Sequence, residues 1–233
     1  MSLKSHLGLL LLFALLLSAC TTTSQVTENP PQAEQAEESD TANLEALYWQ
    51  RQEEAKSHFT KADVDFMTGM ISHHAQALIM SRLAPGNNAS SSVQTLASRI
   101  INAQNDEIAS MQTWLRDRKQ PVPEVHIDGL NLMIHGVDAH HHHDHTNMPG
   151  MLSDAQLEEL AAAKGVEFDR LFLTYMIQHH AGAITMVDEL FSHDGVGRDE
   201  AAFKIASDIN VDQITEIERM KLMLNALPPV SDQ

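Results

Sequence analysis

After residue 44 the hydrophobic positions recur every three or four residues, which is the spacing of amphipathic helices. Helix-start signals punctuate this pattern, because Thr60 with Asp63 and Ser153 with Gln156 can form capping boxes. No stretch alternates like a β-strand between turn signals, so the pattern predicts an all-α fold. The predicted helices cover 44–59, 61–83, 91–118, 153–164, 167–192 and 199–226.

One helical pattern occurs twice in this chain. Residues 66–80 and 172–186 share nine identities in fifteen positions, centred on MISHHAQALIM and MIQHHAGAITM. The helix after each copy repeats more weakly, as Gln-x-x-Glu-Ile-x-x-Met at 104–111 and 213–220. One helical hairpin cannot enclose a core, so two copies predict a four-helix bundle with pseudo-two-fold symmetry. The predicted bundle domain, 44–228, comprises hairpin 1 (61–118), a His-rich connection (121–152) and hairpin 2 (153–226).

The N-terminus has the organisation of a bacterial lipoprotein signal. Lys4 precedes an apolar run over 7–17, which is shorter than the roughly 20 residues of a membrane span. The run leads into Leu-Ser-Ala-Cys, so residues 1–19 are predicted to be removed and Cys20 to carry lipid. The predicted product is an exported protein at the periplasmic face of a membrane or the cell surface, and Thr21 slightly favours the outer membrane.

Composition limits the chemistry that this chain can perform. Residues 20–43 are polar, acidic and interrupted by proline, so they predict a disordered tether after the lipid anchor. The 32 acidic against 15 basic side chains argue against nucleic acid as a partner. Cys20 is the single cysteine, so a mature lipoprotein has no thiol for catalysis or disulfides. We find no phosphate-binding loop and no nucleophile with its base, so neither an organic cofactor nor catalysis is predicted.

Methionine and histidine are frequent, at 12 and 14 residues, and they concentrate in the repeat. Residues three, four and seven apart share a helix face, so each copy places thioether sulfur beside imidazole nitrogen. Such a set favours Cu(I), with Cu(II) on the imidazoles as a second state, whereas calcium and magnesium require oxygen ligands. A single methionine or histidine on a helix is more often core filler, and the duplication is what favours a metal site. The two sets are Met70, His73, His74 and Met80, and Met176, His179, His180 and Met186.

A carboxylate-bridged di-iron centre is the main competing metal site in a four-helix bundle. It requires Glu-x-x-His on two helices, and this spacing occurs nowhere in the chain. Glu107 and Glu216 are therefore predicted either to orient a ring N–H of a ligand histidine or to form ordinary hydrogen bonds inside the bundle.

The connection between the hairpins contains a second, weaker candidate for metal binding. Its spacing defines no geometry, so we expect modest affinity and poor selectivity; the alternative is a solvated polar linker. The candidate ligands there are His140, His141, His142, His143, His145, Met148 and Met151.

Three motifs resemble the bacterial family known as domain of unknown function 305. They are Asp-x-x-Phe-Met-x-x-Met-Ile-x-His-His-x-x-Ala (63–77), Gln-x-x-Glu-Ile-x-x-Met-x-x-Trp-Leu (104–115) and EFDRLFLTYMIQHHAGAITM (167–186). The resemblance implies a ferritin-like helical bundle, export from the cytoplasm and, in some members, copper binding that serves copper resistance. The copies differ where Gly69 stands opposite Tyr175, and the last helix lacks the tryptophan of its counterpart. The resemblance implies as metal ligands Met70, His73, His74, Met80, Met111, Met176, His179, His180, Met186 and Met220.

The sequence thus predicts a membrane-tethered protein that sequesters Cu(I) or hands it to a periplasmic transfer partner. Two alternatives stay open: a copper-dependent oxidase, and a helical interaction module in which the methionines are only core.

The lipid anchor gives the first testable prediction. Cys20→Ser removes the thiol that would be acylated, so the protein should move from the membrane fraction to the soluble exported fraction. Fractionation and the intact mass of the mature protein measure this, with Thr21→Ala as the matched control. Unchanged membrane partition of Cys20→Ser would show that no lipid is attached there.

Overall fold

A computed structural model describes residues 32–137 and 148–229. In these ranges the helices are α1 (Gln32–Ala55), α2 (Lys61–Arg82), α3 (Ser91–Asp117), α4 (Asp154–Ala162), α5 (Gly165–Phe191) and α6 (Glu200–Asn225), with one turn of 3-10 helix at Pro85–Asn87. Both predicted capping boxes are present, at Thr60 and Ser153. None of the helices in these ranges is long and apolar enough to cross a bilayer.

Helices α2, α3, α5 and α6 form the predicted four-helix bundle. Phe66 near the start of α2 shares one core cluster with Leu190 at the end of α5, whereas Met80 and Phe168 share the other. Helices α2 and α5 are therefore antiparallel, and the clusters orient α6 like α2 and α3 like α5. Because α3 and α5 run in the same direction, the connection between them must return along the bundle, a single crossover typical of ferritin-like folds.

A two-stranded β-hairpin interrupts the connection that the sequence predicted to be loop. Strand β1 (Glu124–Asp128) pairs antiparallel with β2 (Asn131–His135), and its apolar positions face α2 and α3. Gly129 has φ +59° and occupies the first position of a two-residue loop, where glycine is favoured. The expectation of no β-structure was therefore wrong for this segment, although the fold as a whole is all-α.

Helix α1 also departs from prediction. It begins at Gln32, so residues 32–43 are helical where a disordered tether was expected, and it ends at Ala55 rather than 59. Alanine, glutamate and glutamine are strong helix formers, which explains the extension. The chain divides into two units after Ala46. Side chains are exposed at 40–46 in the first unit and at 47–55 in the second, so the helix does not have the one buried face of an amphipathic helix. The predicted signal peptide and Cys20 lie outside the described residues.

A buried ion pair joins the end of α3 to the start of α6. Asp199 caps α6 by accepting from the Ala202 N–H at 2.9 Å, and it also accepts from Trp114 Nε1 at 3.1 Å and from Arg118 Nε at 2.6 Å. The guanidinium of Arg118 lies 4.3 Å from the centre of the Trp114 ring. The carboxylate is 1% exposed, so removing it leaves a buried cation without its partner.

Asp199→Ala should lower the free energy of unfolding by about 3–5 kcal/mol, the usual cost of breaking a buried pair. Urea unfolding at neutral pH measures this. Asp208→Ala, on the same helix, is the control, because Asp208 forms an exposed pair with Lys204 that contributes at most about 1 kcal/mol. Equal losses in the two variants would contradict the assignment.

Candidate metal site

Four histidines form one layer in the middle of the bundle. Helix α2 supplies His73 and His74, and α5 supplies His179 and His180; all four are completely buried. The rings of His73 and His179 face each other across the α2–α5 contact, with centroids 3.9 Å apart and planes inclined by 37°. His74 and His180 lie on the outer sides of this pair, toward α3 and α6, at centroid distances of 6.4 and 6.2 Å from their neighbours.

Burial keeps the central pair neutral. Desolvation, followed by the neighbouring His74, lowers the pKa of His73 from 6.5 to about 3. Desolvation and then His73 lower the pKa of His179 well below its ordinary value. Neutral imidazole is the form that binds metal ions, so both rings are ready to act as ligands at neutral pH.

A short segment that follows the undescribed residues 138–147 crosses over the histidine layer. We call residues 148–152 the strap. The carbonyl of Pro149 accepts from His73 Nε2 at 3.1 Å, and the Gln76 amide donates to the Leu152 carbonyl and accepts from its N–H. The strap comes so close to α5 that a Cβ on Gly182 would lie 2.0 Å from the Pro149 oxygen. Glycine is therefore required at position 182 for the strap to reach His73.

Each outer histidine contacts one glutamate of the repeated Gln-x-x-Glu motif. His180 Nε2 lies 2.6 Å from Glu216 Oε2 in a hydrogen bond. His74 Nε2 lies 2.7 Å from Glu107 Oε2, outside hydrogen-bond geometry. Each glutamate thus lies beside one outer ring, and that the glutamates orient ligand histidines stays a prediction.

The same atom is left without a partner on all four rings. The Nδ1 atoms of His73, His74, His179 and His180 are buried and make no hydrogen bond. At His73 the bond to a carbonyl requires Nε2 to carry the proton, which leaves a lone pair on Nδ1. Unpaired buried lone pairs cost free energy, and a soft or borderline cation would satisfy them.

The six methionines expected as ligands divide into two groups on opposite sides of the histidine layer. Ten residues separate Met70 from Met80, or about 15 Å along a helix, so the two cannot meet at one ion. Because α2 and α5 are antiparallel, each group combines the earlier methionine of one of these helices with the later methionine of the other. One group is Met70, Met111 and Met186, and the other is Met176, Met220 and Met80.

The remaining predicted ligands are only partly placed. Met148 and Met151 are half-buried and belong to the strap, whereas His140, His141, His142, His143 and His145 lie outside the described residues. Within residues 32–137 and 148–229, no three His, Asp or Glu side chains are grouped in a way that could hold a metal ion. The arrangement that the structure does offer is imidazole flanked by methionine.

Comparison with known proteins places the whole bundle in one family. The family model described as "Domain of unknown function (DUF305)" matches residues 63–224. The chain belongs to the DUF305 family. Among functionally curated proteins, none matches significantly.

Solved structures of DUF305 proteins have the same fold. A DUF305 fragment from Deinococcus radiodurans is 28% identical with a TM-score of 0.58, over 72% of this chain and 98% of that one. A DUF305 protein from Streptomyces coelicolor is 25% identical with a TM-score of 0.56, over 70% and 91%. CopM in its Cu(II)-bound form is 28% identical with a TM-score of 0.50, over 70% and 95%.

Sequence reasoning missed several groups at this site. Gln104 and Gln213 are 1% and 2% exposed, and each has a side-chain oxygen with no hydrogen-bond partner; their repetition in the motif was the available signal. The Pro149 carbonyl had no signal, because every residue carries a carbonyl.

The depressed pKa values predict how pH changes the stability of the metal-free protein. Unfolded imidazoles bind protons below about pH 6.5, whereas folded His73 has a pKa of about 3 and the pKa of folded His179 lies well below its ordinary value. Stability should therefore fall as pH falls below about 6.5. Each ring contributes a slope of up to about 1.4 kcal/mol per pH unit. Urea unfolding between pH 4 and 8 measures it, and His73→Leu/His179→Leu should flatten the curve. An unchanged slope in that variant would show that the pair is not responsible.

Proposed function

We propose that this protein binds copper and that its central site holds Cu(I) between buried imidazoles and methionine sulfurs. The observation that carries the proposal is the layer of four buried histidines whose Nδ1 atoms have no partner, with three methionines on either side. CopM, which shares the fold, has been solved with Cu(II) bound. The proposed ligands are Met70, His73, His74, Met80, Met111, Met176, His179, His180, Met186 and Met220.

The ligand chemistry favours Cu(I) over harder ions. Thioether sulfur is a soft ligand that needs no deprotonation, and the central imidazoles are already neutral, so binding releases no proton from them. Cu(II) could use the imidazoles alone, with the methionines then serving as packing.

The proposed role is to sequester copper or hand it over, serving copper homeostasis in an exported compartment. The predicted signal and Cys20 anchor would hold the bundle at the periplasmic face of a membrane or at the cell surface. The His-rich segment at 140–145, which precedes the strap in the sequence, would then be a weaker collecting site.

Titration with Cu(I) under a competing chromogenic chelator tests the proposal. The purified mature domain should bind with a Kd tighter than about 1 µM, equivalent to about −8 kcal/mol. Combined replacement of His73, His74, His179 and His180 by alanine should remove the Cu(I) held at the central site and so lower the number of ions bound per chain. His126→Ala/His135→Ala, on the exposed faces of the β-hairpin, is the matched control.

Far-ultraviolet circular dichroism must show that the fourfold variant stays helical. An unchanged number of Cu(I) ions per chain in a folded fourfold variant would overturn the central site. Steady oxygen consumption by the copper-loaded protein would favour the oxidase alternative. Copper absent from untagged protein purified from copper-fed cells would favour an interaction module without metal.

A further inference from the structure

The two halves of the bundle differ at one position that the central site does not explain. Gly69 stands where the other copy has Tyr175, whose hydroxyl bonds Glu159 of α4. Glycine inside a helix costs roughly 0.5–1 kcal/mol relative to alanine, so its presence requires a local reason.

Gly69 lies at the floor of a cavity of about 200 Å³ between α2 and α5. Two thioethers lie directly over it: a Cβ on Gly69 would be 3.4 Å from Met186 Cε and 3.6 Å from Met148 Sδ. Met186 is half-buried here, whereas its counterpart in the other copy, Met80, is completely buried. The missing side chain therefore opens one methionine of the repeat to a cavity and brings a second one from the strap beside it.

His193 completes the set on the same cavity wall. Its Nδ1 lies 2.8 Å from the Glu189 carbonyl, which can only accept, so Nδ1 carries the proton and Nε2 has the free lone pair. A backbone bond that fixes the tautomer in this way is typical of metal-binding histidines. The side chain is exposed and lines the cavity as it stands.

The rim of the cavity is acidic. Asp65 and Glu189 both line it, and Asp65 is also bonded to Lys61 at 2.7 Å. Carboxylates at the mouth of a cavity raise the local concentration of cations.

We propose that Met148, Met186 and His193 form a second, solvent-accessible site for one Cu(I) ion in the Gly69 cavity. Two thioethers and one imidazole are a soft to borderline ligand set that favours Cu(I). The site shares the copper chemistry of the proposed function, but it uses only Met186 of the central ligands and none of the four buried histidines.

Filling the cavity tests this site. Gly69→Tyr introduces on α2 the side chain that Tyr175 has at the equivalent position of α5. In competition with a chelator, this variant should bind one Cu(I) ion fewer per chain. Met148→Leu/His193→Ala should lose the same ion with the cavity left open. Ala181→Tyr, at an exposed position of α5, is the control and should bind as the unaltered protein does.

Methyl NMR of protein labelled at methionine Cε separates failure of this site from failure of the central one. Adding Ag(I), a redox-inert soft cation, should shift the Met148 and Met186 methyl signals, and it should do so even where the four buried histidines are replaced. If the variant without the four buried histidines unfolds, Met148→Leu/His193→Ala supplies the test instead. In that double variant the methyl signals of the central-site methionines should still shift when Ag(I) is added. Unmoved Met148 and Met186 signals, or full stoichiometry in Gly69→Tyr, would overturn the proposal whatever the central site does.

Discussion

The structure depends on burying four imidazoles between two apolar clusters. Each unpaired Nδ1 costs about 1–3 kcal/mol, and the bundle accepts this cost at four symmetry-related positions. Leucine at the same positions would pack without that cost, so the layer is not explained by stability. The pseudo-two-fold axis passes through this layer, which is why the methionines divide evenly above and below it and why each outer histidine has a glutamate.

The strap explains where the two copies of the repeated motif differ. Gln76 hydrogen-bonds the strap at Leu152, whereas its counterpart Gly182 lets the strap approach α5. Gln178 bonds the Gly150 carbonyl at 3.4 Å, and Met148 lies over Gly69. The strap is a single segment, so it cannot contact both halves of a pseudo-symmetric bundle in the same way. The residues that hold the strap therefore differ between the two copies. His73, which the strap also contacts, is the same in both.

Most of the bundle could be predicted because its signals are local. Capping boxes and 3.6-residue periodicity located α2, α3, α4, α5 and α6 within a few residues. The β-hairpin was missed although Gly129, at the first loop position between two runs of alternating apolar residues, is a hairpin signal, because each strand has only five residues. The repeat identified the histidines and methionines, yet not their division into two groups, which follows from the helical rise. The Pro149 contact depends on a path of the chain that no local pattern encodes.

Burial bears on what the central site can do. Nine of its ten proposed ligands have no exposed surface, so a substrate has no direct route to an ion held among them. Catalytic turnover needs an open coordination position that a substrate can reach, whereas retention of an ion is favoured by a closed one. The exception among the ten is Met186, which packs against the buried cluster that includes Met70 and Met111 and also lines the cavity at Gly69. Under the proposed function, one thioether at the boundary between solvent and core would give a cation a ligand in both places, which is an arrangement suited to transfer into a closed site.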